Sequence, residues 1–114
     1  MIKNVYSIAV VVADGKKARE WYTKKLGFRV VEDYGHWITV KPKGAKTLLH
    51  LCEQPRSKLE PGNTGIGFEV DSVDKTYKQL TKKGVKFTKA PNDPGWGKQA
   101  RFVDSDRNEF VIFE

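Results

Sequence analysis

The chain contains one stretch twice. Val11–Gly27 reads VVADGKKAREWYTKKLG, and Val70–Gly84 reads VDSVDKTYKQLTKKG. In a common register Val12 is matched by Val70, Lys17 by Lys75, and Thr23-Lys24-Lys25 by Thr81-Lys82-Lys83. Leu26 is one extra residue in the first copy, after which Gly27 answers to Gly84. Each copy runs from an apolar segment through an acidic or hydroxyl residue into a helix-like segment, a glycine and a second apolar run. A solenoid needs about three or more units. A long unit present only twice predicts two half-domains facing each other.

The length of 114 residues bounds the chain to one domain with a single core. With 39% hydrophobic and 31% charged residues it reads as soluble and globular rather than disordered. The apolar start, MIKNVYSIAVVVAD, is too short to cross a membrane and has no small-residue cleavage site. Neither a signal peptide nor a membrane partner is expected. Cys52 is the only cysteine, which excludes an internal disulfide and suits a reducing, cytoplasmic setting.

The net charge of +7 raises the question of nucleic acid. Lys16, Lys17, Lys24, Lys25, Lys75, Lys78, Lys82 and Lys83 all fall in the two helix-like segments, at polar positions between apolar ones. That spacing describes solvated helix faces. No arginine-rich tract or nucleic-acid motif accompanies them, so no nucleic-acid partner is expected beyond weak, salt-sensitive contact with polyanions.

Positions 4–13 read as the first strand, with Tyr6, Ile8, Val10 and Val12 on a bulky face and Ser7 and Ala9 on a small one. Asp14 is a suitable N-cap for a helix whose apolar stripe is Ala18, Trp21, Tyr22 and Leu26, with Trp21 assigned to the core. Gly27 ends that helix. Strands follow at 28–34, 37–41 and 47–53, separated by glycine-containing turns. The polar segment 54–63, QPRSKLEPGN, links module one (1–53) to module two (64–114). Module two repeats the order: a strand at 64–70, a helix capped by Ser72 or Asp71 and closed by Gly84, a strand at 85–89, and a turn-rich loop at 90–97. Strands at 99–103 and 109–113 then form a hairpin across DSDRN, 104–108.

The repeat pairs Ser7 with Gly65 and Ala9 with Gly67. A sheet face lined by such small residues cannot fill its own space and leaves a concavity for a ligand. The competing reading is that glycine there serves close packing or a bulge.

The stretches SIAVVVADGKKAREWYTKKLGF, GIGFEVDSVDKTYKQLTKKGVKF and WGKQARFVDSDRNEF resemble the glyoxalase/bleomycin-resistance/extradiol-dioxygenase (vicinal oxygen chelate) superfamily. The resemblance rests on Trp21-Tyr22 before Leu26-Gly27, and on Asp104, Asp106 and Asn108 in the last hairpin, where Arg107 replaces the usual glycine. It spans nearly the whole chain. It implies an α+β fold of two βαβββ modules, whose curved mixed sheets form a cleft with the helices outside, and a homodimer. It also implies four cleft-facing metal-ligand positions, which fall here on Ser7, His50, Gly65 and Val111. Only His50 is a customary ligand, so no metal and no cofactor is expected. A slip of the last hairpin would bring Glu109 into question without rescuing Ser7 or Gly65.

The remaining candidates are ligand contacts. His50 alternates with Leu49 and Leu51 and is expected on the cleft face, either as a hydrogen-bonded structural residue or as a ligand contact. Cys52 shares that parity, but no partner makes it a nucleophile. Glu69 is placed on the small face of its strand, with a salt-bridged role as the competing reading. Trp37 and Trp96 offer flat surfaces for a planar or apolar molecule, and Arg101 a cation for an acidic one. Ser7, Trp37, His50, Glu69, Trp96 and Arg101 are thus the expected ligand-binding set for a metal-independent small-molecule binding protein. A metal-dependent lyase, isomerase or dioxygenase with a rearranged site is the alternative, and an interaction module using the lysine-rich helices is the third. Bleomycin itself, a cationic ligand, fits a net basic chain poorly.

Overall fold

The computed structural model describes residues 1–54 and 60–114, so linker positions 55–59 lie outside the described residues. The described chain forms two compact units, Met1–Pro61 and Gly62–Glu114. The first contains β1 (Ser7–Val12), α1 (Gly15–Leu26), β2 (Arg29–Tyr34), β3 (Trp37–Lys41) and β4 (Leu48–Glu53). The second contains β5 (Asn63–Glu69), α2 (Val73–Lys82), β6 (Lys86–Asn92), β7 (Gln99–Val103) and β8 (Glu109–Phe113). The sheets have matching orders, β1-β4-β3-β2 and β5-β8-β7-β6, and neither closes on itself. In each, the first and last strands of the module run parallel and the other pairs antiparallel. The fold is α+β, built from two βαβββ modules.

Local chemistry explains the helix ends. The Asp14 carboxylate accepts the Lys17 amide at 3.1 Å, and Ser72 Oγ accepts the Lys75 amide at 3.2 Å. Gly27 adopts φ 71°, and its amide and that of Phe28 return to the carbonyls of Thr23 and Tyr22. Each helix is also capped from far along the chain. Glu53 Oε1, at the end of β4, accepts the Gly15 amide at 3.1 Å, and Glu114 Oε1 accepts the Val73 amide at 3.2 Å. A Cβ on Gly15 would lie 2.6 Å from that Glu53 oxygen, which accounts for glycine at the first helical position.

In the first unit Val10, Val12, Ile38, Val40, Leu49 and Leu51 are buried together with Ala18 and Tyr22 of α1. In the second, Ala100, Phe102, Phe110 and Ile112 are buried with Val73 and Val85. Trp21, assigned to the core by its place in the stripe, is only half-buried and meets the buried Tyr22 edge-on at 5.1 Å. Tyr6 also departs from expectation. It precedes β1 and is 56% exposed, because strand alternation does not extend past the first paired residue.

The expected loop at 90–97 begins as strand, since β6 continues to Asn92. Pro91 is tolerated because β6 is an edge strand, where a missing N–H costs no ladder bond. Gly65 sits at φ 72° in a stretch where the β5–β8 register shifts, so its smallness serves the backbone. Gly67 is small for another reason: a Cβ there would meet the Phe113 ring at 3.1 Å. In module two, backbone conformation therefore explains Gly65 and close packing explains Gly67. Gly65→Ala is expected to cost about 1–2 kcal/mol from the left-handed backbone alone, read as a lower urea midpoint with unchanged slope. An unshifted midpoint would contradict that conformation.

Candidate functional site

The site is built on the face of the first sheet that α1 leaves uncovered. Across that face the register aligns Ala9, His50, Thr39 and Glu32 in one row. Glu32 reaches it through a bulge. Val30 pairs with Val40, but Glu32 pairs with Thr39, leaving Val31 as the extra residue. Because side chains alternate, an unbulged β2 would set Glu32 opposite buried Ile38, on the helix side. The bulge moves the carboxylate to the open face.

Module two repeats the device. Phe87 pairs with Phe102, then Lys89 pairs with Arg101 after a register shift. The equivalent row is Gly67, Val111, Arg101 and Lys89. Glu32 and Lys89 thus occupy corresponding positions with opposite charge.

Glu32 Oε1 accepts two hydrogen bonds, from Trp37 Nε1 at 3.0 Å and from buried Thr39 Oγ1 at 3.0 Å. The Tyr6 hydroxyl donates to the same carboxylate. The Trp37 bond, followed by those from Thr39 and Tyr6, holds the Glu32 pKa below its usual range against the opposing effect of desolvation. Tyr6 is raised in turn, first by burial and then by the neighbouring Glu32 charge. Trp37 lies over His50 with ring centroids 3.9 Å apart and planes 32° from parallel. Among the described residues Glu32 forms no ion pair. The adjacent Asp33, by contrast, is paired with Arg19.

Burial lowers the His50 pKa below its ordinary 6.5, and the nearby Glu32 charge only partly opposes this. The folded protein therefore binds fewer protons here than the unfolded chain. The stability this contributes is complete above the ordinary pKa and is lost as the pH falls through it towards the folded value. Melting temperatures of wild type and His50→Gln between pH 7.5 and 5 should diverge, with wild type falling faster. Parallel curves would contradict this.

Of the residues singled out in the sequence, Trp37 and His50 come together. Ser7 lies on the same sheet in β1, half-buried and opposite Leu48. Glu69 is exposed at the end of β5, opposite Phe113. Arg101 is engaged by Glu109 at 3.3 Å, whose other oxygen accepts Thr88 Oγ1 at 2.8 Å. Trp96 is 79% exposed. It is held between Gly95 and Gly97, whose amides both bond Asp93 Oδ1 at 2.8 and 3.0 Å. Trp96, Gln99, Val111 and Phe113 line a recess of about 230 Å³, which Arg101 does not join.

Glu32, Thr39 and Tyr6 are the site residues that sequence reasoning missed. The available signal was the second half of the repeat: from Gly27 and Gly84 onward the copies align Glu32 with Lys89.

The metal-ligand positions implied by the family resemblance do not gain donors. His50 pairs with Ala9, and Val111 with Gly67, so Val111 is His50's counterpart, while Glu109 is occupied by Thr88 and Arg101. A hydroxyl, one imidazole, a glycine and a valine do not make a divalent-metal donor set. Among the described residues no three His, Cys, Asp or Glu side chains gather into one.

The family described as Glyoxalase/Bleomycin resistance protein/Dioxygenase superfamily matches residues 5–112. The uncharacterized protein YetH of Bacillus subtilis (strain 168) is 35% identical over 120 residues, covering 100% of both chains. A solved member of the same superfamily from Sphaerobacter thermophilus DSM 20745 superposes with a TM-score of 0.93 at 35% identity, over 99% of this chain and 98% of that one. TnmS3, an antibiotic binding protein from Streptomyces sp. CB03234, gives a TM-score of 0.85 at 32% identity, over 98% and 95% of the two chains.

Proposed function

Since the chain belongs to the glyoxalase/bleomycin resistance protein/dioxygenase superfamily, we propose that it is a small-molecule binding protein that holds its ligand without a metal ion. One observation carries this reading: the tryptophan on the open face is fixed by Glu32 and backed by His50. Its donor is spent internally, so its ring is a preoriented contact surface. Preorganisation is what converts contact into affinity, because ordering a large side chain on binding costs free energy. No hydrogen bond ties the His50 ring to a described residue, which leaves its ring nitrogens for a ligand.

The antibiotic-binding description of TnmS3 supports a sequestering role for a related chain. The superfamily's enzymatic reading would ask Gly65 and Val111 for donors that they do not have, and Ser7 for more than a neutral hydroxyl. In the proposed binding form, the first unit supplies Trp37 as a flat contact with Ser7 and His50 for polar orientation, and the second supplies Trp96 with Glu69 and Arg101 in the same roles. The cytoplasm, on the grounds of cysteine usage, and a homodimer, on the grounds of family habit alone, complete the proposal.

A thermal-shift screen of small molecules tests it, because a ligand that prefers the folded state raises the melting temperature. A binder should lose about tenfold or more in affinity in Trp37→Leu, the cost of one well-placed aromatic contact. A hit unaffected by that substitution, or one requiring stoichiometric metal, would overturn the reading.

A further inference from the structure

We propose that the Glu32 carboxylate, framed by Tyr6, Tyr34 and Trp37, is a subsite for the ammonium end of a small organic cation. The inference rests on the binding reading above and names the ligand class. Three observations carry it.

First, among the described residues Glu32 is a charge satisfied only by neutral donors. Trp37, Thr39 and Tyr6 fix the carboxylate without neutralising it, and no described lysine or arginine pairs with it. His50, held towards its neutral form, adds little counter-charge. Asp33 on the same strand shows the contrast, since Arg19 is its partner. The +7 net charge does not cancel this local field: the helix lysines are mostly exposed on α1 and α2, and exposed charges are screened within about 10 Å.

Second, the surroundings are aromatic. Tyr34 pairs with Trp37 across the β2–β3 ladder, and Tyr34 and Tyr6 interact electrostatically. Tyr34 is 75% and Trp37 38% exposed. With Nε1 turned to Glu32 and one ring face on His50, Trp37 offers its remaining face. Aromatic faces beside a carboxylate suit an alkylammonium group, which is attracted to ring quadrupoles and stabilised by the anion.

Third, the fold does not demand an acid there. The matching bulge in module two presents Lys89 at the same position, so the bulge accepts either charge. Glu32 is a choice of chemistry imposed on a shared backbone device.

The test uses phenyltrimethylammonium, benzyl alcohol and benzoate as cationic, neutral and anionic aromatic probes, titrated calorimetrically into the full chain at pH 7.5 and about 0.1 M salt, where the helix lysines are screened. Wild type should bind the cation at least tenfold more tightly than either other probe. Glu32→Gln keeps an acceptor oxygen for Trp37 and Thr39 but removes the charge, so it should abolish that preference. Tyr34→Leu, at an exposed position with no core role, should weaken the cation selectively.

Equal binding of the neutral probe, or undiminished cation binding in Glu32→Gln, overturns the subsite while leaving a small-molecule function standing. The same holds if the broader screen yields binders but the cation fails. If no probe binds and the screen is empty, both proposals fall together.

Discussion

Phe102→Ala is expected to lower the unfolding free energy by about 3–5 kcal/mol, the range for emptying a buried phenylalanine site. Phe102 is among the largest fully buried side chains. Its ring lies 5.5 Å from Phe110, 5.6 Å from Phe87 and 6.3 Å from Phe68. Truncation removes the hub of this cluster, and the remaining rings sit on three different strands, so they cannot easily close the void. Urea unfolding followed by circular dichroism measures the loss. A change below about 1.5 kcal/mol would mean that the site collapses freely, against the close packing expected of an interior.

Asp104→Ala should cost about 3 kcal/mol for a different reason. Asp104 and Asn108 are both buried in the last turn. Asp104 Oδ1 accepts the amides of Asp106 and Asn108, each at 2.8 Å, and Oδ2 accepts Asn108 Nδ2 at 2.9 Å. Asn108 Oδ1 passes the connection on to the Gly62 amide at 3.2 Å. Alanine would strand several donors out of water, and each buried unsatisfied group costs about 1–3 kcal/mol. Asp104→Asn retains one acceptor oxygen and should fall between wild type and alanine in the same unfolding experiment. If asparagine proved no better than alanine, hydrogen bonding would not be the main role of Asp104.

These two sites differ in how openly the sequence declares them. DSDRN is visible as a hairpin because Asp and Asn carry their turn chemistry locally. The caps at Asp14 and Ser72 and the stop at Gly27 are legible for the same reason. The β7 and β8 bounds also follow from their own residues. What depends on pairing is hidden. Alternation in Arg29–Tyr34 has no mark for the extra Val31, so a parity reading sets Glu32 on the wrong face. Tyr6 was misplaced by extending alternation beyond the strand, and Trp21 by treating a helical stripe as uniformly buried. Pro91 reads as a breaker until β6 is known to be an edge. Trp37 and His50 were singled out separately, on opposite sides of a turn, and only the β3–β4 register makes them neighbours.

The far-reaching caps on the two helices bear on how the modules open. A first-turn amide is ordinarily among the first to exchange with solvent, since helix ends fray at little cost. The Gly15 amide instead ends on a carboxylate of β4, and the Val73 amide on the residue following β8. Each can exchange freely only once the far carboxylate lets go. Deuterium uptake at these two helix starts would therefore report the release of a carboxylate from a distant strand end as well as the fraying of a helix.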